Sequence, residues 1–162
     1  MQYNPNIHHR RSIRLKNYNY SQDGYYFVTI CTQNRQNHFQ DQCVIEMITR
    51  WWNRLPNKFP NIEIDEFIVM SDHIHGIVVI VGANQCVCPN TKRGRPVCLP
   101  LQIIVQWFKT MTTNEYIRNV KNLKWKSFDG KLWQRNYYER IIRDEKELYR
   151  VRKYIKNNPL KD

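Results

Sequence analysis

Residues 62–81 read IEIDEFIVMSDHIHGIVVIV. Ile62–Met70 and His73–Val81 are both rich in β-branched and aromatic residues, and Ser71-Asp72 is the turn between them. The stretch therefore predicts a β-hairpin. Side chains alternate across a strand, so His73 and His75 leave one face together. Ile74, Gly76 and Val78 leave the other face, which reads as sheet core. Two neutral imidazoles side by side can hold a divalent cation. By itself an H-x-H pair is a weak signal, since two surface histidines near a turn give the same pattern.

Working outward, Tyr25–Thr32 (YYFVTICT) follows an Asp23-Gly24 turn signal and reads as a strand. Val44, Met47, Ile48, Trp51, Trp52 and Leu55 recur at helical spacing, so Cys43–Leu55 is a helix, stopped by Pro56 and Pro60. Gly82–Pro100 is a loop carrying Lys92, Arg93 and Arg95 among its prolines. Leu101–Tyr116 is a second helix, and Asn119–Lys131 is a basic connection. Tyr137–Ile142 is a last strand. Asp144 caps a third helix that runs from Glu145 to about Asn158 and is ended by Pro159. The order β-α-β-β-α-β-α predicts an α+β fold, a ferredoxin-like (split βαβ) antiparallel sheet with helices packed on one face. The chain divides into a basic arm, residues 1–20, and a single domain, residues 21–162. Such a plan says nothing about chemistry.

The charge does. Lys and Arg number 26 against 14 acids, a formal net charge of +12. That balance predicts a polyanionic partner, nucleic acid first and an anionic membrane surface second. Ten Tyr and five Trp are mixed with these cations, a composition suited to stacking on unpaired bases. Arg10, Arg11, Arg14 and Lys16 make the arm a candidate phosphate tracker. No apolar run approaches a membrane span and no apolar signal region opens the chain, so a cytoplasmic protein is expected. The five cysteines are odd in number and read as free thiols. A zinc site from Cys86, Cys88 and Cys98 lacks a clear fourth ligand.

Two further patterns could carry chemistry. Glu147, Val151, Tyr154 and Asn158 form one stripe of the last helix, with Tyr154 and Asn158 one turn apart. The same spacing suits a Tyr packed on a sheet and an Asn serving as a C-terminal cap. Leu132–Arg143 (LWQRNYYERIIR) mixes rings with arginines, as a base-stacking, phosphate-holding surface does.

Taken in order, DGYYFVTICTQNR, FIVMSDHIHGIVVI, LWQRNYYERIIRDEKEL and YIKNNP resemble the HUH single-tyrosine transposases of the insertion-sequence-200 type. Within them the likeness is greatest to the REP-associated tyrosine transposases, and it spans residues 12–159. The resemblance implies a metal-dependent enzyme that cleaves and rejoins single-stranded or hairpin DNA through a 5′-phosphotyrosine intermediate. It implies Tyr154 as nucleophile and His73, His75 and Asn158 as ligands of a divalent metal, Mg²⁺ or Mn²⁺. The arm and Trp133, Gln134, Arg135, Asn136, Tyr138, Arg140 and Arg143 are the expected DNA contacts. Tyr137, Tyr138 and Tyr149 are rival nucleophiles, but Tyr154 alone has Asn158 one turn below and a helix-ending proline. Many relatives carry Asn where this chain has Asp72, and His where it has Arg140; both differences bear on substrate contacts. A homodimer is possible. The alternatives are a non-catalytic hairpin-binding module on the same fold and, more remotely, an RNA-cutting nuclease that needs the 2′-hydroxyl.

Overall fold

The computed structural model describes residues 22–81 and 101–158; the basic arm, the 82–100 loop and Pro159 lie outside them. Four strands, β1 (Gly24–Cys31), β2 (Ile62–Val69), β3 (His73–Ile80) and β4 (Tyr138–Ile142), form an antiparallel sheet in the order β2-β3-β1-β4. The helices are α1 (Gln42–Asn53), α2 (Leu55–Lys58), α3 (Leu101–Leu123) and α4 (Glu145–Asn157). This is the expected α+β, ferredoxin-like strand order. No helix among the described residues is long and apolar enough to cross a membrane.

Alternation splits the sheet into two faces with different jobs. Tyr26, Val28, Ile30, Ile74, Val78 and Ile80 point to the main core, which α1 closes with Val44, Met47, Ile48, Trp51 and Trp52. Ile104, Val105, Phe108 and Tyr116 of α3 complete it. Phe27, Ile77, Val79 and Ile142 point the other way and meet Leu148 and Ile155 of α4. The expectation that all helices share one face is therefore corrected. Helix α4 covers the opposite face, because its Leu148, Val151 and Ile155 need an apolar partner and only that face has one uncovered.

Three local readings also change. Pro56 does not stop a helix: it sits in the first turn of α2, where its missing N–H costs nothing. Helix α3 runs seven residues past Tyr116 to Leu123, into the first part of the segment read as a connection. Trp133 is a core residue, with only 5% exposure.

The seat of α4 depends on an irregularity in β2. Ile64 pairs with Val78 and Phe67 with Gly76, so Asp65 and Glu66 together oppose the single residue Ile77. That is a β-bulge, which re-aims side chains. Both carboxylates reach α4: Asp65 Oδ2 lies 2.7 Å from Arg152 Nη2, and Glu66 Oε1 lies 2.8 Å from Lys156 Nζ. The two cations flank Tyr154 in sequence. At its other end α4 is capped by Asp144, whose Oδ1 accepts from the N–H of Glu147 at 2.7 Å.

Candidate active site

The α4 face of the sheet carries the histidine pair. His75 stands opposite Thr29 and His73 opposite Cys31. Thr29 Oγ1 lies 2.8 Å from His75 Nδ1, and Asp72 Oδ1 lies 2.5 Å from His73 Nδ1. With both Nδ1 atoms engaged, the two Nε2 atoms face one another at 3.1 Å. The hydroxyl of Tyr154 is 3.3 Å from His75 Nε2. Phe27 supports the cluster, stacked on His75 at 5.3 Å and edge-on to Tyr154 at 6.1 Å.

Electrostatics keep one imidazole neutral. Burial, and then the nearby His73 and Arg35, push His75 down to about 4, against a smaller opposing pull from Asp72. A neutral imidazole has a free lone pair for a metal. A carboxylate behind a metal-binding histidine fixes its tautomer, and Asp72 stands in that place beside His73. Two nitrogens bound to one ion at ~2.1 Å stand about 3 Å apart, close to the spacing observed. The pair therefore fits a divalent cation. Among the described residues no three His, Cys, Asp or Glu side chains cluster for a metal. Asn158 is half-buried one turn past Tyr154, where its backbone N–H closes the helix on Ile155 O.

A strained turn backs the pair. Asn34 and Arg35 both have left-handed backbone (φ 54° and 55°), at ~1–3 kcal/mol each for a non-glycine residue. Buried Thr32 ties this turn to the hairpin, its N–H donating to Asp72 O at 2.9 Å. Arg35 then holds Asp72 Oδ2 at 3.1 Å and touches Cys31 Sγ at 2.9 Å. The chain Arg35–Asp72–His73 was not legible as a unit. Its sequence signal is the QNR turn after β1 and the Asp at position 72.

The expected DNA contacts divide four ways. Tyr138 and Arg140 share the Phe27–His75 face, since they pair with Thr29 and Phe27 on β1. They line a cleft of about 410 Å³ with Glu147, Arg150, Val151 and Tyr154. Arg135, Asn136 and Arg143 are exposed and Gln134 is half-buried. The carbonyls of Gln134 and Asn136 accept from Lys109 Nζ at 2.9 and 3.1 Å, so α3 pins this loop. Trp133 cannot stack on DNA: its Nε1 donates to Thr112 Oγ1 at 2.9 Å and its ring lies 4.9 Å from Phe39. The bridge Thr32–Trp133 turns it to the α1/α3 face. Arg10, Arg11, Arg14 and Lys16 lie outside the described residues. Of the rival nucleophiles, Tyr138 on β4 is 51% exposed and Tyr149 on α4 is 66% exposed.

The chain is similar to known proteins in sequence and in fold. Residues 96–158 match a family described as "Transposase IS200 like". An uncharacterized protein of Haemophilus influenzae is 39% identical over 173 aligned positions, covering 98% of this chain and 92% of that one. A REP-associated tyrosine transposase bound to a REP hairpin has a similar fold, with a TM-score of 0.60 at 19% identity. It covers 92% of this chain and 74% of its own. A Deinococcus radiodurans protein described as a candidate transposase gives a TM-score of 0.52 at 16% identity, covering 90% and 97%.

Proposed function

The chain belongs to the IS200-like transposase family, and from that premise we propose that it cleaves and rejoins single-stranded DNA through a covalent link to Tyr154. The observation that carries this reading is the meeting of the Tyr154 hydroxyl with His75 Nε2 at 3.3 Å, beside a second imidazole nitrogen 3.1 Å further on.

The chemistry follows from those groups. Tyr154 oxygen attacks a backbone phosphorus, forming the Tyr O–P bond. The bond from phosphorus to the 3′ oxygen breaks. The phenol loses its proton and the departing 3′ oxygen gains one, leaving a 5′-phosphotyrosine and a free 3′-hydroxyl. Attack by another 3′-hydroxyl reverses the step and joins strands. The phosphoester energy stays in the link, so no nucleotide is hydrolysed, and the sequence has no GxxxxGK[ST] phosphate loop. A bound Mg²⁺ or Mn²⁺, held by His73, His75 and, on this reading, Asn158, would supply Lewis-acid polarisation of the phosphate. The protein's own part is orientation. Thr29 and Asp72 fix the imidazoles, and the Arg152 and Lys156 pairs set the height of Tyr154 above them.

The DNA partner is inferred from charge and from the fold shared with a hairpin-bound REP-associated transposase. The arm cations and Arg135 and Arg143 would hold phosphate, and Gln134 or Asn136 would meet base edges. The test is incubation of labelled single-stranded hairpin DNA with Mn²⁺ and denaturing electrophoresis. A slow-moving covalent band is expected with the native chain and none with Tyr154→Phe. Binding without a band on every DNA tried would instead favour the non-catalytic module, and a band that persists in Tyr154→Phe would move the nucleophile elsewhere.

A further inference from the structure

The cleft beside Tyr154 has a construction that attack on a phosphate does not require. Tyr138 presents a half-exposed ring, edge-on to Phe27 at 6.4 Å. Val151 of α4 lines the same cleft. Glu147 is only 8% exposed, yet it is a carboxylate. It is held there because Oε2 accepts the N–H of Arg143 at 3.0 Å and Oε1 meets Arg140 Nη2 at 2.5 Å. Arg140 thus has one edge fixed and the rest of its fork open, with its side chain 57% exposed. An aromatic platform, an apolar wall and a pre-oriented guanidinium in about 410 Å³ are the parts of a site for one flat heterocycle.

We propose that this cleft between β4 and α4 takes up one unstacked nucleobase of the strand, next to the phosphate that Tyr154 attacks. The inference rests on the strand-transfer reading above. Tyr138 stacks on the base, and Arg140, steadied by Glu147, donates to its edge. Guanine is the best match, because its O6 and N7 accept together from one guanidinium. Holding that base out of the stack turns the adjoining backbone toward Tyr154. The cleft then sets both position and sequence preference at the cleavage junction.

The full chain is incubated with Mn²⁺ and a pool of DNA hairpins whose unpaired flank is randomised. Covalent adducts are captured and their junctions sequenced. One of the two nucleotides flanking the junction should favour guanine over pyrimidines by about tenfold, and an abasic residue there should cut adduct yield by about tenfold. In Tyr138→Ala the abasic penalty should fall below about twofold. In Arg140→Gln the guanine preference should vanish while the abasic penalty stays. Each penalty is a ratio within one protein, so partial unfolding of a variant does not mimic it. The fluorescence of 2-aminopurine at that position, measured in Tyr154→Phe with and without Tyr138→Ala, gives the same comparison without cleavage. Native chain indifferent to abasic residues at both flanking positions would overturn the base site alone. So would an abasic penalty unchanged in Tyr138→Ala. No adduct from any member of the pool would overturn the strand-transfer reading and the base site with it.

Discussion

Gly76→Ala should damage the protein from the inside. Gly76 lies on the strand that bears His75, against the ring of Trp52. A Cβ there would stand 2.4 and 2.7 Å from two Trp52 ring carbons and 3.1 Å from Phe67. Carbon contacts are comfortable near ~3.5–4.0 Å, so the ring or the strand must give by roughly 1 Å. Trp52 has nowhere to go: it is 1% exposed, stacked on Phe67 at 4.5 Å and edge-on to Phe108 at 5.5 Å. Overpacking of this kind costs ~1–3 kcal/mol. Replacing Gly also removes freedom from the unfolded chain, which returns ~0.4–1 kcal/mol and does not cancel the clash. For a chain of this size the melting temperature should fall by roughly 2–8 °C, read by circular dichroism. If strand β3 yields rather than the ring, His75 moves and adduct formation drops by more than the folded fraction. Trp52→Phe should relieve the contact, so the double variant should lose less than the two single losses combined. A Gly76→Ala protein that melts with the native chain would refute the packing argument, and strict additivity would place the damage elsewhere.

Other outcomes follow from the same geometry. Arg152→Ala with Lys156→Ala should slow adduct formation several-fold while the melting temperature moves little, since exposed pairs contribute only ~0–1 kcal/mol each; the swap Asp65→Arg with Arg152→Asp should recover part of the rate, and no recovery would count against the bulge as the anchor. Burial brings Lys109 down to about 8, so over pH 8 to 10.5 the folded state holds fewer protons than the unfolded one. Stability contributed through Lys109 should therefore rise across that window, and the urea-midpoint gap between native chain and Lys109→Met should shift in favour of the native chain; a flat gap would mean its carbonyl contacts offset burial. Asp72→Asn keeps the shape beside His73 but removes the carboxylate, and should weaken Mn²⁺ binding by ~10–100-fold in titration calorimetry; unchanged affinity would rule Asp72 out as a support.

The sequence disclosed whatever depends on alternation or on a helical turn. His73 and His75 share a face because residues two apart on any strand do, and Glu147, Val151 and Tyr154 line one cleft with the sheet because residues on one helical face do. Hidden from it was everything that depends on which residues pair. The bulge at Asp65 and Glu66 exists only relative to Ile77 on the next strand, and the ion pairs it makes possible join positions 87 and 90 residues apart. Trp133 shows the same limit from the other side. Its neighbours Arg135 and Tyr138 are exposed, and composition alone groups it with them, but one bridge to Thr32 turns its ring into the core. The placing of α4 follows from this. Residues 145–157 could be read as amphipathic, but with the main core already closed by α1 and α3 the last helix had only the other face to cover. That face bears the imidazoles, so the same packing requirement that overturns the one-sided layer brings the phenol of Tyr154 within reach of His75. A polar substitution at Leu148 or Ile155, which pack in the apolar cluster under α4, should thus lower adduct yield by unseating Tyr154, and a fully active Ile155→Asn protein would show that helix docking does not position the nucleophile.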